Sequence, residues 1–349
     1  MNEKLPIAKP QFGQLHAYVP GKTKGGVKLS ANENPFGHSP QVTEVLANFQ
    51  AFSKYPDGSA SLLKEKVSQF LGVEAGQLIF GAGADEVIQM ISRTLLMPGD
   101  NIIQANPTFS QYEHHAIIEG AQVRNVPVTS DGFHDLGAMY HAIDEKTKII
   151  WVCNPNNPTG TYLSDVALNA FLKQVPSRIL VVLDEAYAEY ATAKDFPNSM
   201  ELLKTYPNVM VLRTFSKIFG LASFRVGYGV GNPELISSLD VGRLPFNVST
   251  IGQLVAAAAI DDTDFVKECA VKNAEGLKQY EDFFNSKGIS YNPSQANFIF
   301  IPTGQAKEIG QKLETGGYII RVFKDGIRIT IGKPEDNQAI IELLETIFG

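Results

Sequence analysis

Between about Leu62 and Gln253, short β-rich apolar runs alternate with stretches of helical spacing, and this alternation constrains the fold more than any other feature of the chain. Leu63, Val67, Phe70 and Leu71 recur at helical intervals with Gly72 placed as a C-terminal cap, and Val87, Ile88, Ile91 and Leu95 do the same ahead of Met97-Pro98-Gly99-Asp100. The strand-like runs are Gln77–Phe80, Asn101–Gln104, Lys148–Cys153, Ile179–Leu183 and Val209–Arg213. Continuous apolar runs of this length suit strands covered on both faces. They predict an α/β lobe with a mostly parallel sheet flanked by helices.

After about Asp264 the pattern changes. A long helical stretch runs to Lys287, strand-like Asn297–Ile301 follows, and then come a helix near Ala306–Leu313, a hairpin-like Tyr318–Ile331 and a last helix carrying Ile340, Ile341, Leu344, Ile347 and Phe348. This predicts a smaller α+β lobe, with the helical segment Ser249–Ile260 completing the large one. The chain has 349 residues, more than the roughly 250–300 at which a single core stops growing. The expected division is an irregular N-terminal arm (1–28), a large domain (47–263) and a small domain assembled from 29–46 and 264–349.

Several functional classes are excluded. An apolar fraction of 44% rules out wholesale disorder. A net charge of −7 without a run of Lys or Arg gives no footprint for nucleic acid. The N-terminus lacks the apolar core of a signal peptide, and the longest apolar run, Leu254–Ile260, has seven residues, far below the ~18–20 needed to span a bilayer. The expectation is a soluble, reduced, cytoplasmic protein without a membrane partner. Cys153 and Cys269 read as core, and neither they nor the six histidines form a metal set.

Five segments are able to carry chemistry. Phe80-Gly81-Ala82-Gly83-Ala84-Asp85-Glu86 lies between a strand and a helix. The dinucleotide fingerprint needs glycine where Glu86 stands, which leaves a simple phosphate site or a tight turn with Asp85 and Glu86 in the first helical turn. Asn154-Pro155-Asn156-Asn157-Pro158-Thr159-Gly160 follows a strand directly, where open α/β sheets bind ligands, although Asn and Pro also simply make turns. Asp184 and Tyr187 stand where a very apolar strand gives way to loop, as a buried carboxylate needing a donor or as a helix cap. Thr214-Phe215-Ser216-Lys217 puts a lysine in apolar company, with Arg225 eight positions on. A desolvated lysine becomes a nucleophilic amine. The fifth segment, Tyr318–Ile331, reads as two strands around Asp325-Gly326. A two-residue turn there pairs Phe323 with Arg328 and Arg321 with Thr330, so Arg321 and Arg328 share a face diagonally, whereas a three-residue turn separates them. Sharing a face, they clamp an anion; otherwise they are two solvated strand arginines.

Each segment ends a predicted strand or opens a helix, and one chemistry uses them all. It needs an amine for an imine, an anion for a pyridinium nitrogen, donors for a phenolate, a phosphate cradle and an anion clamp. That chemistry is pyridoxal-phosphate catalysis. In Leu29–Gly37, Tyr55-Pro56-Asp57-Gly58, Gly83–Glu86, Asn154–Gly160, Asp184–Tyr187, Thr214–Lys217, Arg328–Gly332 and Tyr18-Val19-Pro20-Gly21, the chain resembles the fold type I aminotransferases, and closely the histidinol-phosphate aminotransferases.

The resemblance implies the fold type I architecture, pyridoxal 5'-phosphate as cofactor, and a homodimer with shared active sites. It implies transfer between histidinol phosphate and glutamate or 2-oxoglutarate, in histidine biosynthesis. By position, Lys217 forms the imine with the cofactor and then moves the substrate's α-proton. Asp184 keeps the ring nitrogen protonated, and Tyr187 and Asn157 bond the phenolate oxygen. Ala84, Asp85, Ser216 and Arg225 hold the phosphate, Glu86 also binds the cofactor, and Tyr55 reaches the phosphate in the neighbouring subunit's site. Phe109 stands where the family commonly has a tyrosine, keeping the ring face and losing the hydroxyl. Tyr18, Asn34, Asn157, Arg321 and Arg328 bind the substrate, with Tyr18 and the Asn32–Gly37 segment lining its side-chain pocket. The alternatives on the same scaffold are an aromatic amino-acid aminotransferase, a pyridoxal-phosphate decarboxylase of a phosphorylated amino acid, and a ligand-binding protein without turnover.

Overall fold

The computed structural model describes residues 9–17, 21 and 25–348. Tyr18 lies outside the described residues. Twelve strands occur among them: β1 (Val27–Lys28), β2 (Leu78–Gly81), β3 (Asn101–Asn106), β4 (Gln122–Pro127), β5 (Thr147–Cys153), β6 (Leu180–Asp184), β7 (Val209–Thr214), β8 (Gly227–Val230), β9 (Phe298–Pro302), β10 (Tyr318–Ile319), β11 (Arg321–Val322) and β12 (Gly326–Thr330).

Seven of them form one sheet in the order β2-β8-β7-β6-β5-β3-β4. The pairings of β3 with β4 and β5, of β5 with β6 and of β6 with β7 are parallel, and β8 runs antiparallel to both neighbours. The expected mostly parallel sheet is therefore present. Its central strands β5 and β6 are buried, apart from Lys148 near the start of β5, because helices cover both faces. The pleat divides the core. Ile149, Trp151, Leu180, Val182, Met210 and Leu212 face one layer of helices, while Ile150, Val152, Val181, Leu183, Val209 and Val211 face the other.

A third core belongs to the smaller lobe, where β11-β12-β9 form an antiparallel sheet. Ile299, Ile301, Ile327 and Ile329 pack there against Tyr280, Phe284, Ile340 and Leu344. The long helix Thr263–Lys287 bridges the lobes: Val266, Cys269 and Ala270 pack into the large-lobe core, Leu277 and Tyr280 into the small-lobe core. Both cysteines are buried and free.

Three expectations are corrected. Within the arm, Pro10–Gln14 forms a 3-10 turn, and β1 pairs in parallel with β10. The helix Pro40–Asn48, expected with the small domain, places Val42 and Val45 in the large-lobe core, whereas Leu29 packs in the small one. The run Tyr318–Ile331 is not one hairpin: its first two residues leave to join β1, and the hairpin proper pairs Arg321 directly with Arg328 and Val322 with Ile327. Phe323 N–H donates to the Gly326 carbonyl, so the turn is Lys324-Asp325. Gly326 lies in β12, where a Cβ would press on the Phe300 ring and the Ile301 carbonyl of β9. Among the described residues no helix is long and apolar enough to cross a membrane.

Candidate active site

The segments singled out from the sequence converge at the C-terminal ends of β5, β6 and β7, where loops can gather around a ligand without disturbing the sheet. Asp184 is the last residue of β6 and 3% exposed. Its Oδ2 accepts the Tyr112 hydroxyl at 2.5 Å and its Oδ1 the Ala186 N–H at 3.2 Å. Burial raises its pKa to about 6, with the Tyr112 and Ala186 bonds opposing the rise. The loop after it is anchored from below: Arg213 on β7 pairs with Glu185 at 2.5 Å and with Glu189 at 2.8 Å.

Lys217 follows β7 on a turn among the buried Phe215, Ile218 and Phe219. Its Nζ donates to the Ala31 carbonyl at 3.1 Å and lies 5.7 Å from the Tyr187 ring centroid. Desolvation, aided by the positive charges of Arg328 and Arg225, lowers its pKa to about 8 against the pull of Asp85 and Glu33. The amine is therefore half neutral near pH 8, the condition a nucleophilic lysine needs.

The Tyr187 hydroxyl accepts from the Asn32 amide at 2.9 Å and from the Asn157 amide at 3.4 Å. With two donors on its oxygen, its own O–H is left to donate to a third group. Arg328 on β12 is 6% exposed. It donates through Nη1 to the Asn157 side-chain oxygen and through Nη2 to the Ser30 carbonyl at 2.7 Å, while its buried Nε has no partner. Phe298 and Phe323 flank its guanidinium at 5.2 and 5.7 Å. Burial, with Arg321 opposite, lowers its pKa to about 10, and Tyr187 acts the other way. Arg321 shares this face but lies exposed on edge strand β11.

An uncapped helix start and an arginine meet beside Lys217. The helix Ala84–Leu95 begins after Gly83 with no side chain capping its first N–H groups. The Arg225 guanidinium reaches across that end, 3.3 Å from the Ser216 hydroxyl and 3.2 Å from the Asp85 carboxylate. A Cβ on Gly83 would collide with this guanidinium, and one on Gly227 would overlap the Ala84 nitrogen. Both glycines therefore let the parts approach.

The remaining expected residues divide. Phe109 is half-buried, edge-on to Tyr112 at 5.6 Å. The Glu86 carboxylate turns back to the Ala82 N–H at 2.5 Å and the Asn247 amide at 2.8 Å, so it braces the loop instead of facing a ligand. Asn34 is likewise committed: it donates to the Ile218 carbonyl at 2.7 Å and the Cys269 sulfur at 3.3 Å, and accepts the Phe36 N–H at 3.0 Å. The neighbouring Asn32 takes the position facing Tyr187, in a left-handed conformation that asparagine tolerates. Asn32 also bonds Thr330 at 3.0 Å and Asn297 at 3.0 Å, tying both lobes to the Tyr187 hydroxyl. Tyr55 stands apart, 81% exposed and stacked on Phe246 at 4.7 Å. The sequence marks Asn32 only as part of the Asn32–Gly37 segment, not as a partner of Tyr187, and holds no sign of Tyr112, which no motif marks.

The chain matches the family model "Aminotransferase class I and II" over residues 24–344. It is 53% identical to histidinol-phosphate aminotransferase 1 of Bacillus cereus, covering 98% of this chain and 96% of the relative. It is 50% identical to histidinol-phosphate aminotransferase of Bacillus velezensis, covering 97% and 99%. Among solved structures it is similar to the histidinol-phosphate aminotransferase of Sinorhizobium meliloti in complex with pyridoxal-5'-phosphate, at 26% identity and a TM-score of 0.88, covering 99% of each chain. The chain belongs to the class I and II aminotransferases.

Proposed function

We propose that this aminotransferase uses pyridoxal 5'-phosphate to move the amino group between histidinol phosphate and 2-oxoglutarate, as a cytoplasmic homodimer with shared sites. The residues present fit that cofactor. A desolvated lysine, a buried carboxylate, a hydroxyl left to donate and an arginine across a helix N-terminus answer its aldehyde, ring nitrogen, phenol and phosphate in turn. When bound, the cofactor supplies an electrophilic carbonyl and an electron-withdrawing pyridinium ring.

The chain's residues do the rest. Arg225, Ser216 and the N–H groups of Ala84 and Asp85 hold the phosphate. Asp184 places a negative charge in a buried position, which stabilises a proton on a facing ring nitrogen. Tyr187 donates its O–H to the phenolate oxygen, and Asn32 and Asn157, donating to the Tyr187 oxygen, leave that O–H to it. Phe109 offers a ring face. Lys217, neutral in useful amounts near pH 8, is the nucleophile, and its Nζ afterwards carries the proton removed from the substrate's α-carbon.

The observation that carries the substrate reading is the buried Arg328 fork with an unspent Nε. Histidinol phosphate has no α-carboxylate, so its phosphate has to use the clamp that holds glutamate's carboxylate. A guanidinium matches either anion. Exposed Tyr55 and Phe246 stack into an aromatic pair that a second copy would cover, and Tyr55 would then serve the neighbouring site.

The test is kcat/KM for histidinol phosphate against tyrosine and phenylalanine, each with 2-oxoglutarate. Histidinol phosphate is expected to lead by about tenfold or more, about 1.4 kcal/mol. Tyrosine far ahead would establish an aromatic aminotransferase, and release of carbon dioxide from a phosphorylated amino acid would establish a decarboxylase.

A further inference from the structure

We infer that Tyr112 is a positioning residue that fixes the Asp184 carboxylate in orientation and charge for the ring nitrogen of the cofactor. The inference rests on the pyridoxal-phosphate reading and deepens it.

Tyr112 lies on the helix Gln111–Ile118, which covers the sheet face that carries Trp151 and Cys153. Asp184 follows Leu180 and Val182 at the period of two, so its side chain emerges on that same face. The Tyr112 ring is fully buried. It stacks on Trp151 at 4.4 Å with the planes within 5°, and the Phe109 ring meets it edge-on at 5.6 Å. A ring clamped on its face and edge holds its hydroxyl in one place. That hydroxyl donates to Asp184 Oδ2 at 2.5 Å while the Ala186 N–H occupies Oδ1 at 3.2 Å. Each carboxylate oxygen thus has one fixed donor, and the plane of the group is set.

The bond also governs charge. A buried carboxylate with a neutral donor keeps its negative charge at lower pH than one without. Tyr112 remains a neutral donor because burial and the neighbouring Asp184 hold its phenol well above the usual range. The other titratable groups near Asp184 are Cys153 on the adjacent strand β5, Asp85 at the start of the helix Ala84–Leu95, and Glu185 and Tyr187 on its own loop. Tyr112 is the side chain among these that donates to the carboxylate. Because Phe109 leans on the same ring, Tyr112 supports two of the surfaces proposed to meet the cofactor.

The experiment compares the wild type, Tyr112→Phe, Asp184→Asn and the double variant. Pyridoxal-phosphate dissociation constants are measured from pH 5 to 8.5 by quenching of Trp151, the only tryptophan, and unfolding temperatures report the fold. Tyr112→Phe is expected to weaken binding about tenfold at pH 7 and to move the acid limb of the affinity profile upward by about one pH unit. In the Asp184→Asn background the same change is expected to do little, because the groups act as a pair. A loss that is equal at every pH, or one that persists undiminished beside Asp184→Asn, overturns the inference and leaves the cofactor reading intact. A folded wild type that binds no pyridoxal phosphate overturns that reading and the inference with it. If Tyr112→Phe unfolds, Phe109→Leu, which loosens the ring and with it the hydroxyl, is expected to move the acid limb in the same direction by a smaller amount. An acid limb unmoved in a folded Phe109→Leu contradicts the assignment to the clamped hydroxyl.

Discussion

Arg328 and Asn157 are joined across the two lobes: the guanidinium on β12 donates to the Asn157 side-chain oxygen, which commits the amide nitrogen to the Tyr187 hydroxyl 3.4 Å away. One side chain thus ties the anion clamp to the phenol donor. Asn157→Ala removes an acceptor from a buried cation and a donor from Tyr187. It is expected to lower kcat/KM about tenfold or more. Asn157→Asp keeps the acceptor and loses the donor, so its KM is expected to stay within about threefold of the wild type while kcat falls. Steady-state kinetics of the two variants checks this, and equal KM effects in both would show that the amide does not couple the sites.

The charge on Asp184 should be visible in stability. Its carboxyl is raised from 3.8 to about 6 by burial, so between those values the folded protein binds more protons than the unfolded chain. The stability from the protonated form is fully present below about pH 4 and lost as pH rises through 6. At pH 7–8 the ionised group costs up to about 3 kcal/mol. Asp184→Asn is therefore expected to raise the unfolding temperature of the cofactor-free protein at pH 7–8, with the gain fading toward pH 4, and to weaken cofactor binding. A variant less stable than the wild type at pH 8 would contradict the burial cost.

The gathering of Asp184, Lys217 and Asn157 at one end of the sheet was legible in the sequence because each ends or follows a strand whose continuous apolar run marks a parallel sheet. Strand β8 was not legible: Gly227 is there because Ala84 passes too close for a side chain, a demand made by another element. Edge strand β4 has a mixed polar pattern that periodicity does not resolve. The hairpin turn was placed one residue late because Asp325-Gly326 has a turn's composition, while Gly326 in fact serves close approach to β9. Tyr112 leaves no local trace, since its role depends on a partner 72 residues away. That Asn32 is the asparagine of its segment facing Tyr187 depends on one backbone fact, its left-handed conformation.

Lys217, with its pKa lowered to about 8, is expected to react with reductive methylation reagents in the cofactor-free protein with a midpoint near pH 8, well below ordinary lysines at ~10.4. Borohydride treatment of the loaded enzyme is expected to fix pyridoxal phosphate to the Lys217 peptide. Peptide mapping that finds the label on another lysine would remove Lys217 from its proposed role.

Sharing of sites through Tyr55 is tested by mixing inactive Lys217→Ala with an inactive Tyr55→Ala variant. Mixed dimers contain one site with both lesions and one with neither, so activity is expected to return in part, up to about half per mixed dimer by site counting. Proven subunit exchange without recovered activity would show that Tyr55, exposed on its own chain, serves no neighbouring site.

A single buried fork serving both substrates is tested most directly by following the two half-reactions of Arg328→Ala separately in single turnovers, with the exposed Arg321→Ala alongside. Arg328→Ala is expected to slow the reactions with histidinol phosphate and with 2-oxoglutarate by about 30-fold or more each, about 2 kcal/mol, and Arg321→Ala to change either by less than about threefold. A large loss in only one half-reaction of Arg328→Ala would contradict the shared clamp.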